Sequence, residues 1–355
     1  MELDEEGFRY PEVDRSICID CGLCEATCPE RSPVYPLCEA SSFYAAYSND
    51  FDYRACSSSG GLFYELAKQV ISDGGIVCGA AYDEQFQVYH KCVGSLVELK
   101  SLLGSKYVQS RIGDSFRQVR DCLEEGRKVI FAGTECQVAG LKKFLDKNYE
   151  ELLTVGLVCH GVPSLNAWKS YLGSFENHDC LSAINMRDKS SGWSNYNYSW
   201  KLIYKDGTER TFSQRDVSYM TGFVADYYLR PSCYGCSFKG LARSSDLTLG
   251  DFWGIWESNP DMDDDKGTSL VVVHTEKGSL ELEMIQDNLH WKEVSADDAL
   301  KQNPSIMTSA CLSPKREEFF ELLSEGKTVD SIVESLHEKQ RLTKRSILQK
   351  LKQLF

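Results

Sequence analysis

Four cysteines in "SICIDCGLCEATCPE", residues 16–30, follow the spacing C-x2-C-x2-C-x3-C-P. Thiolates this close together can wrap three corners of an iron–sulfur cubane, while the proline turns the chain away; in paired motifs the cysteine before the proline serves the other cluster. Cys18, Cys21, Cys24 and Cys28 are therefore candidate metal ligands. Zinc is the rival, but zinc motifs come as separated C-x2-C pairs rather than as a quartet ending in Cys-Pro. The run occurs once, which leaves its completion open. Cys38 closes the cluster, or Cys28 is drawn back into a self-contained site, or the chain starts inside a two-cluster module whose linking strand and turn are "EEGFRYPEVD".

A second group of cysteines is dispersed. Cys136 in "FAGTECQVAGL" lies at a strand-to-helix junction, where unpaired backbone N–H groups and the helix dipole favour a thiolate. Cys159 in "GLVCHGVPS" ends the next expected strand, and sheet order would bring both strand ends to one edge. Cys233 and Cys236 form C-x2-C in a loop bounded by Pro231 and Gly240. Four thiolates converging from three loops suit a second 4Fe-4S cluster; a four-cysteine zinc site or buried free cysteines are the alternatives, and spacing does not separate iron from zinc. His160 is a candidate proton donor, against the blander role of scaffolding for its neighbour Cys159. Cys78, Cys92, Cys122, Cys180 and Cys311 sit singly and read as small buried hydrophobes.

Two further stretches could hold a cofactor. In "CSSSGGLF", Ser58, Ser59, Gly60 and Gly61 precede an expected helix and would offer hydroxyls and backbone N–H groups to a phosphate. A serine cap followed by glycines also starts helices that bind nothing. "GSKYVQS" supplies Lys106, Tyr107, Gln109 and Ser110, which could give charge and hydrogen bonds to a cofactor or form a surface turn.

The elements that must position these residues alternate. "GGLFYELAKQVISDGG" reads as a helix, "IVCGAAY" and "FQVYHKCVG" as strands, "LVELKSLLG" and "SFRQVRDCLEEG" as helices, then "KVIFAGT", "CQVAGLKKFL" and "LLTVGLVCHG" as strand, helix and strand. "YSWKLIYKDGTERTFSQ" reads as a hairpin about Lys205-Asp206-Gly207, "SYMTGFVADYYL" as a helix, and "SLVVVHT" with "KGSLELEMI" adds one more strand and helix. The expected fold is α/β: a mixed, largely parallel sheet flanked by helices, preceded by a small ferredoxin-like iron–sulfur segment. The expected division is residues 1–45 for that segment, 46–165 and 166–325 for two parts of one cofactor domain, and 326–355 for a basic amphipathic helix. "NPDMDDDKG" reads as a solvated connection. A net charge of −14 argues against a nucleic-acid binder. With no apolar run long enough for a membrane span and no secretory signal, a cytoplasmic protein is expected, in which fifteen cysteines are more readily ligands or redox groups than disulfides, the five single ones apart.

In order, "CIDCGLCEATCP", "SSSGGLF", "GSKYVQS", "KVIFAGTECQVAGLKKFL", "LLTVGLVCHGVPS" and "RPSCYGCSFKGLARSSDLTLGDFWG" resemble the beta-subunit family of coenzyme F420-reducing hydrogenases and dehydrogenases. The resemblance implies FAD in the central domain, with Cys136, Cys159, Cys233 and Cys236 holding a cluster beside it, and Thr134 joins the candidate FAD contacts. It also implies electron passage between a ferredoxin or redox partner subunit and a small-molecule hydride acceptor or donor, F420 or another metabolite. A non-catalytic electron-transfer subunit is the alternative. The family usually has proline where this chain has Glu135, a carboxylate expected to lower the cluster's potential.

Overall fold

Apolar runs with few polar interruptions become the middle of the fold, because strands covered by helices on both faces have no side to leave polar. The computed structural model describes residues 1–31 and 37–337. A short hairpin, β1 (Glu2–Leu3) and β2 (Arg9–Tyr10), opens the chain. There follow β3 (Ser42–Ser48), β4 (Ile76–Tyr82), β5 (Val88–Val93), β6 (Val129–Thr134) and β7 (Leu152–Leu157). The second half contributes β8 (Leu181–Asp188), β9 (Ser199–Tyr204), β10 (Glu209–Ser213), β11 (Leu247–Asp251), β12 (Ser269–Val273) and β13 (Leu289–Glu293).

Eight of these strands make one sheet in the order β13-β3-β12-β11-β7-β6-β4-β5. Its centre, β11-β7-β6-β4, is parallel, and β3 runs the same way, whereas β5, β12 and β13 run opposite. Strand alternation sorts the core. Ile130 and Ala132 of β6 face the helices Leu62–Ser72 and Glu276–Ile285, while Val129 and Phe131 face Ser115–Glu124 and Glu135–Leu145. In the first of these helices Leu62, Leu66 and Val70 recur on one side, each contributing roughly 2 kcal/mol on burial. A second sheet, β10-β9-β8, packs with the helices Leu165–Gly173, Ser218–Val224 and Arg316–Ser324 around an aromatic core that includes Trp168, Trp200, Tyr219 and Tyr228.

The large sheet binds the two expected parts, 46–165 and 166–325, into one layer, since β3 pairs with β12 and β13; β3 also straddles the boundary drawn at residue 45. The expected hairpin about Asp206 forms, with Glu209 opposite Ile203. The amino-terminal hairpin is fastened to the body: Phe8 is fully buried, Arg316 makes a two-pronged pair with Glu6, and Gly7 takes a φ of +87° where a Cβ would lie 2.7 Å from Asn166. Residues 11–27, by contrast, are exposed throughout, as in a segment that takes its order from metal rather than from a core.

Three expectations need correction. Cys180 and Cys311 are exposed, not buried; Cys180 closes the 3-10 turn His178–Cys180, and Cys311 lies in the loop between Pro304–Ile306 and Arg316–Ser324. The acidic loop is no solvated connection, because Asp264 takes both Nη atoms of the buried Arg54 at 2.8 and 2.6 Å and Asp265 accepts from the Trp193 and Ser194 amides. "SYMTGFVADYYL" is helical only over Ser218–Val224, where Asp226 adopts a φ of +60° soon after. A helical run over 329–337 buries Val329, Ile332, Val333 and Leu336, and the rest of the expected carboxyl-terminal helix lies outside the described residues. Among the described residues no helix is long and apolar enough to cross a membrane.

The Arg54 clasp gives a stability test. Asp264→Ala strands a guanidinium that is 1% exposed and should cost about 3 kcal/mol of unfolding free energy in urea. Asp261→Ala, which removes only the exposed pair with Lys292, should leave stability essentially unchanged; equal losses would contradict the assignment.

Candidate redox site

Parallel β4, β6, β7 and β11 end at the same edge of the sheet, the place where open α/β sheets bind ligands. β6 delivers Thr134, which caps the helix Glu135–Leu145: its amide donates to Gln137 Oε1 at 3.0 Å in a capping box. Cys136 follows inside the first turn, its Sγ 3.1 Å from Thr134 Oγ1. β7 delivers Cys159. The third contributor is the 3-10 turn Pro231–Gly235, which carries Cys233 and runs into Cys236. It is tied to the β7 exit by the Val162 amide, which donates to Cys233 Sγ at 3.3 Å, and by the Arg230 amide on Val162 O at 2.8 Å. The Cys236 amide donates to Ser309 Oγ at 3.0 Å, and Lys239 donates to Cys159 O.

The four thiols lie within electrostatic reach of one another. Cys136 is exposed and the other three half-buried, so they line a recess that water can enter but that protein crowds. Burial pushes Cys136 up to about 11, with Thr134 opposing and Cys236, Cys233 and Glu135 adding. Burial pushes Cys159 up to about 12, with Cys136 and Cys233 adding and Lys239 opposing; Cys233 is raised for the same leading reason. Among the described residues no group of three or more His, Cys, Asp or Glu is close enough to hold a single metal ion. The fit to a cluster rests on the donor set: four cysteines, of which Cys136, Cys159 and Cys233 are disfavoured as free anions, with a lysine and a backbone N–H beside them.

Glu135 is 4% exposed, with Oε1 accepting from the Ser244 amide and hydroxyl at 2.6 Å each and from the Ser245 amide at 3.1 Å, while its charge still reaches Cys136. It fastens the 244–245 segment to the helix start. His160 Nε2 lies 2.7 Å from Asp226 Oδ1, and its ring meets Phe223 edge-on at 5.0 Å, so the imidazole is held in place beside Cys159. Asp226, whose other oxygen accepts from the Cys311 amide, was not marked by any motif.

In the amino-terminal run Cys18, Cys21 and Cys24 are exposed and Cys28 half-buried. Asp20 and Gly22 take φ values of +54° and +71°, turning the chain between successive cysteines. Glu30 accepts from Ser237 Oγ at 2.9 Å, which seats the end of this run beside Cys236. Cys38 pairs its backbone with Arg243, a residue within electrostatic reach of Cys159 and Cys236.

The phosphate-cradle candidates meet competing uses. Ser59 Oγ donates to Thr268 O at 2.7 Å, the Gly60 amide donates to Ser269 Oγ at 2.9 Å, and a Cβ on Gly60 would lie 2.3 Å from Ala46 O. These glycines are explained by close packing of the helix start onto β3 and β12, with Gly61 at φ +87° as the cap. Ser58 accepts from Ser105 at 2.8 Å, which joins the two candidate stretches. In the second stretch Ser110 Oγ lies 2.7 Å from His90 Nδ1, and Gln109 is half-buried. Burial pushes His90 down to about 4, so the imidazole is neutral at pH 7.

Sequence reasoning missed the centre of this region. Arg187, at the end of β8, is 1% exposed and pairs with Asp251 through both Nη atoms at 2.7 and 3.1 Å. It lies over the rings of Tyr198 and Trp253 and donates to Tyr107 Oη at 3.1 Å. Burial alone would lower its pKa, but Asp251 and Tyr107 raise it. Lys189, two residues on, donates to Arg54 O and Ser59 O at 2.5 and 2.7 Å, and burial, then Arg54 and Arg187, push it down to about 7. Only Asp251, within the quoted "GDFWG", offered a signal for this pair.

Lys106 turns its ammonium inward onto the carbonyls of Leu102, Leu103 and Gly104, at 3.4, 2.9 and 3.1 Å, and burial pushes it down to about 7. Above that pH the folded chain sheds a proton that the unfolded chain keeps until the usual lysine range, so stability gains as pH rises. Wild type should therefore gain stability relative to Lys106→Met between pH 7 and about 10. A difference flat in pH would contradict the buried ammonium.

Comparison with known proteins places this geometry. Residues 126–298 match the model of the carboxyl-terminal region of the coenzyme F420 hydrogenase/dehydrogenase beta subunit, and residues 10–33 match a 4Fe-4S binding domain. The chain is similar to a subunit of the F(420)H(2) dehydrogenase of Methanosarcina mazei, with 20% identity over 336 residues covering 79% of this chain and 86% of that protein. It shares its fold with a chain of the F420-reducing NiFe hydrogenase complex from Methanosarcina barkeri, with a TM-score of 0.50 and 16% identity over 85% of this chain and 93% of that one. Over residues 126–298 the chain is thus similar to the coenzyme F420 hydrogenase/dehydrogenase beta-subunit family, and a match to a 4Fe-4S binding domain lies at its amino-terminal end.

Proposed function

We propose that this chain is an iron–sulfur flavoprotein subunit of a redox complex, passing electrons between a ferredoxin-like carrier or partner subunit and a small molecule that accepts or donates hydride. The observation that carries the reading is the meeting of Cys136, Cys159, Cys233 and Cys236 from three separate loops at the ligand-binding edge of the sheet. The relatives are named as parts of enzymes that oxidise or reduce F420, which supports coenzyme F420 or a comparable hydride carrier as substrate.

The chain's own residues divide the work. Cys18, Cys21, Cys24 and Cys28 would hold one cluster and the four sheet-edge cysteines the other. The Glu30–Ser237 contact seats the two cysteine groups near each other, as a relay requires. Lys239, beside Cys159, Cys233 and Cys236, offsets negative charge there, and the Val162 amide donates to the Cys233 sulfur. Bound FAD exchanges electrons singly or in pairs, which links clusters to hydride chemistry. Arg187 and Lys189 meet the Ser58–Gly61 stretch, and Arg187 with the partly charged Lys106 and Lys189 would suit an anionic cofactor there, with Tyr107, Gln109, Ser110 and Thr134 as further proposed contacts. His160, held by Asp226, is placed to keep the Cys159 loop in position or to carry a proton.

A purely electron-transferring role is the second reading. It is favoured by the internal use of Ser59 and Gly60, which takes two expected donors away from a phosphate. Anaerobic purification with iron, sulfide and flavin determination separates the two. We expect flavin bands on a broad cluster shoulder, and we expect Cys233→Ser to lose one cluster's worth of iron. A shoulder without flavin would select the second reading, and a colourless, zinc-containing protein would defeat both.

A further inference from the structure

β4 and β5 set Cys78 and Cys92 directly opposite each other in antiparallel register. Opposed residues in such a pair point to the same face with Cα atoms about 4.5–5.5 Å apart, inside the range of roughly 4.4–6.8 Å that a disulfide spans. The two thiols hydrogen-bond, yet they are not equivalent. Cys78 is fully buried, and its pKa is raised well above the usual value, first because it is hydrogen-bonded to Cys92 and then by burial. Cys92 is half-buried on β5, the outermost strand at that end of the sheet, and the hydrogen bond from Cys78 lowers its pKa. A reachable, thiolate-leaning sulfur beside a sheltered partner is the arrangement of a redox-responsive cysteine with its resolving thiol.

We propose that Cys92 and Cys78 form a redox-active dithiol, with Cys92 attacking a peroxide and Cys78 closing the bridge. The Cys92 sulfur bonds to one peroxide oxygen as the O–O bond breaks, and the departing oxygen takes a proton to leave as water or alcohol. The Cys78 sulfur then bonds to the Cys92 sulfur, expelling its hydroxyl, which takes the Cys78 proton and leaves as water. Two thiols lose two electrons and the peroxide gains them. β5 also carries His90, whose ring meets Ser110 Oγ at 2.7 Å and Ala132 O at 3.1 Å, so the bridge would form next to a strand residue that positions the 104–110 stretch. Nothing in this step depends on which cofactors the sheet edge holds.

The test treats the anaerobically purified full chain with stoichiometric hydrogen peroxide, quenches in acid, alkylates under denaturing conditions and maps peptides without reductant. The expected product is a Cys78–Cys92 linked peptide pair lighter by two hydrogens, restored to two alkylated thiols by dithiothreitol. Cys78→Ala should leave a dimedone-reactive sulfenic acid on Cys92 that wild type does not accumulate, and Cys122→Ala should leave the bridge unchanged. Two free thiols after treatment, or a bridge from Cys92 to Cys122, would overturn the proposal. The wild-type peptide map decides this alone, whatever the variants do to folding.

Discussion

Three thiols that resist ionisation are held beside a fourth, where metal ligation would require them to ionise together. Burial raises Cys136, Cys159 and Cys233, and each feels its neighbours as further negative charge. A metal ligand must be a thiolate, so the proposed ligation would need a strong positive charge among the sulfurs. The protein supplies part of it through Lys239, the Val162 N–H, and the start of the eleven-residue helix on which Cys136 sits. Iron would supply the rest, and binding it would lock together loops that otherwise repel.

That constraint explains why the framework is stiff. β6 and β7 are buried nearly end to end, and the Thr134 capping box, the Glu135–Ser244 clasp and the Val162–Arg230 bond each fix a loop where it leaves the sheet. The Arg187–Asp251 pair does the same on the other side, joining the small sheet to the large one under Tyr198 and Trp253. Removing either partner would leave a buried charge without its counterion, so the pair holds this edge of the sheet in register.

Legibility followed sequence distance. The cysteine spacings and the strands "KVIFAGT" and "SLVVVHT" were readable because each is a local pattern, and the hairpin about Asp206 carries its own turn chemistry. β3, "SFYAAYS", mixes small, aromatic and polar residues without a clean period and takes its place from β12 and β13, more than two hundred residues away. Arg187 and Asp251 are likewise far apart in the chain and meet only in the fold. "SSSGG" showed the opposite failure: a pattern that suits a phosphate equally suits a helix packed tightly on a sheet, and the 2.3 Å gap between a Gly60 Cβ and Ala46 O shows the second use. Cys180 and Cys311 looked like core residues because a lone cysteine in mixed sequence carries no sign of which way it faces.

X-ray absorption at the iron edge, on protein whose Cys18, Cys21, Cys24 and Cys28 are all replaced by serine, addresses the sheet-edge cysteines without interference from the amino-terminal run. The account predicts irons bound wholly by sulfur, with iron neighbours at the short separation of a cubane. Absence of iron, or iron bound mainly by nitrogen and oxygen, would contradict it.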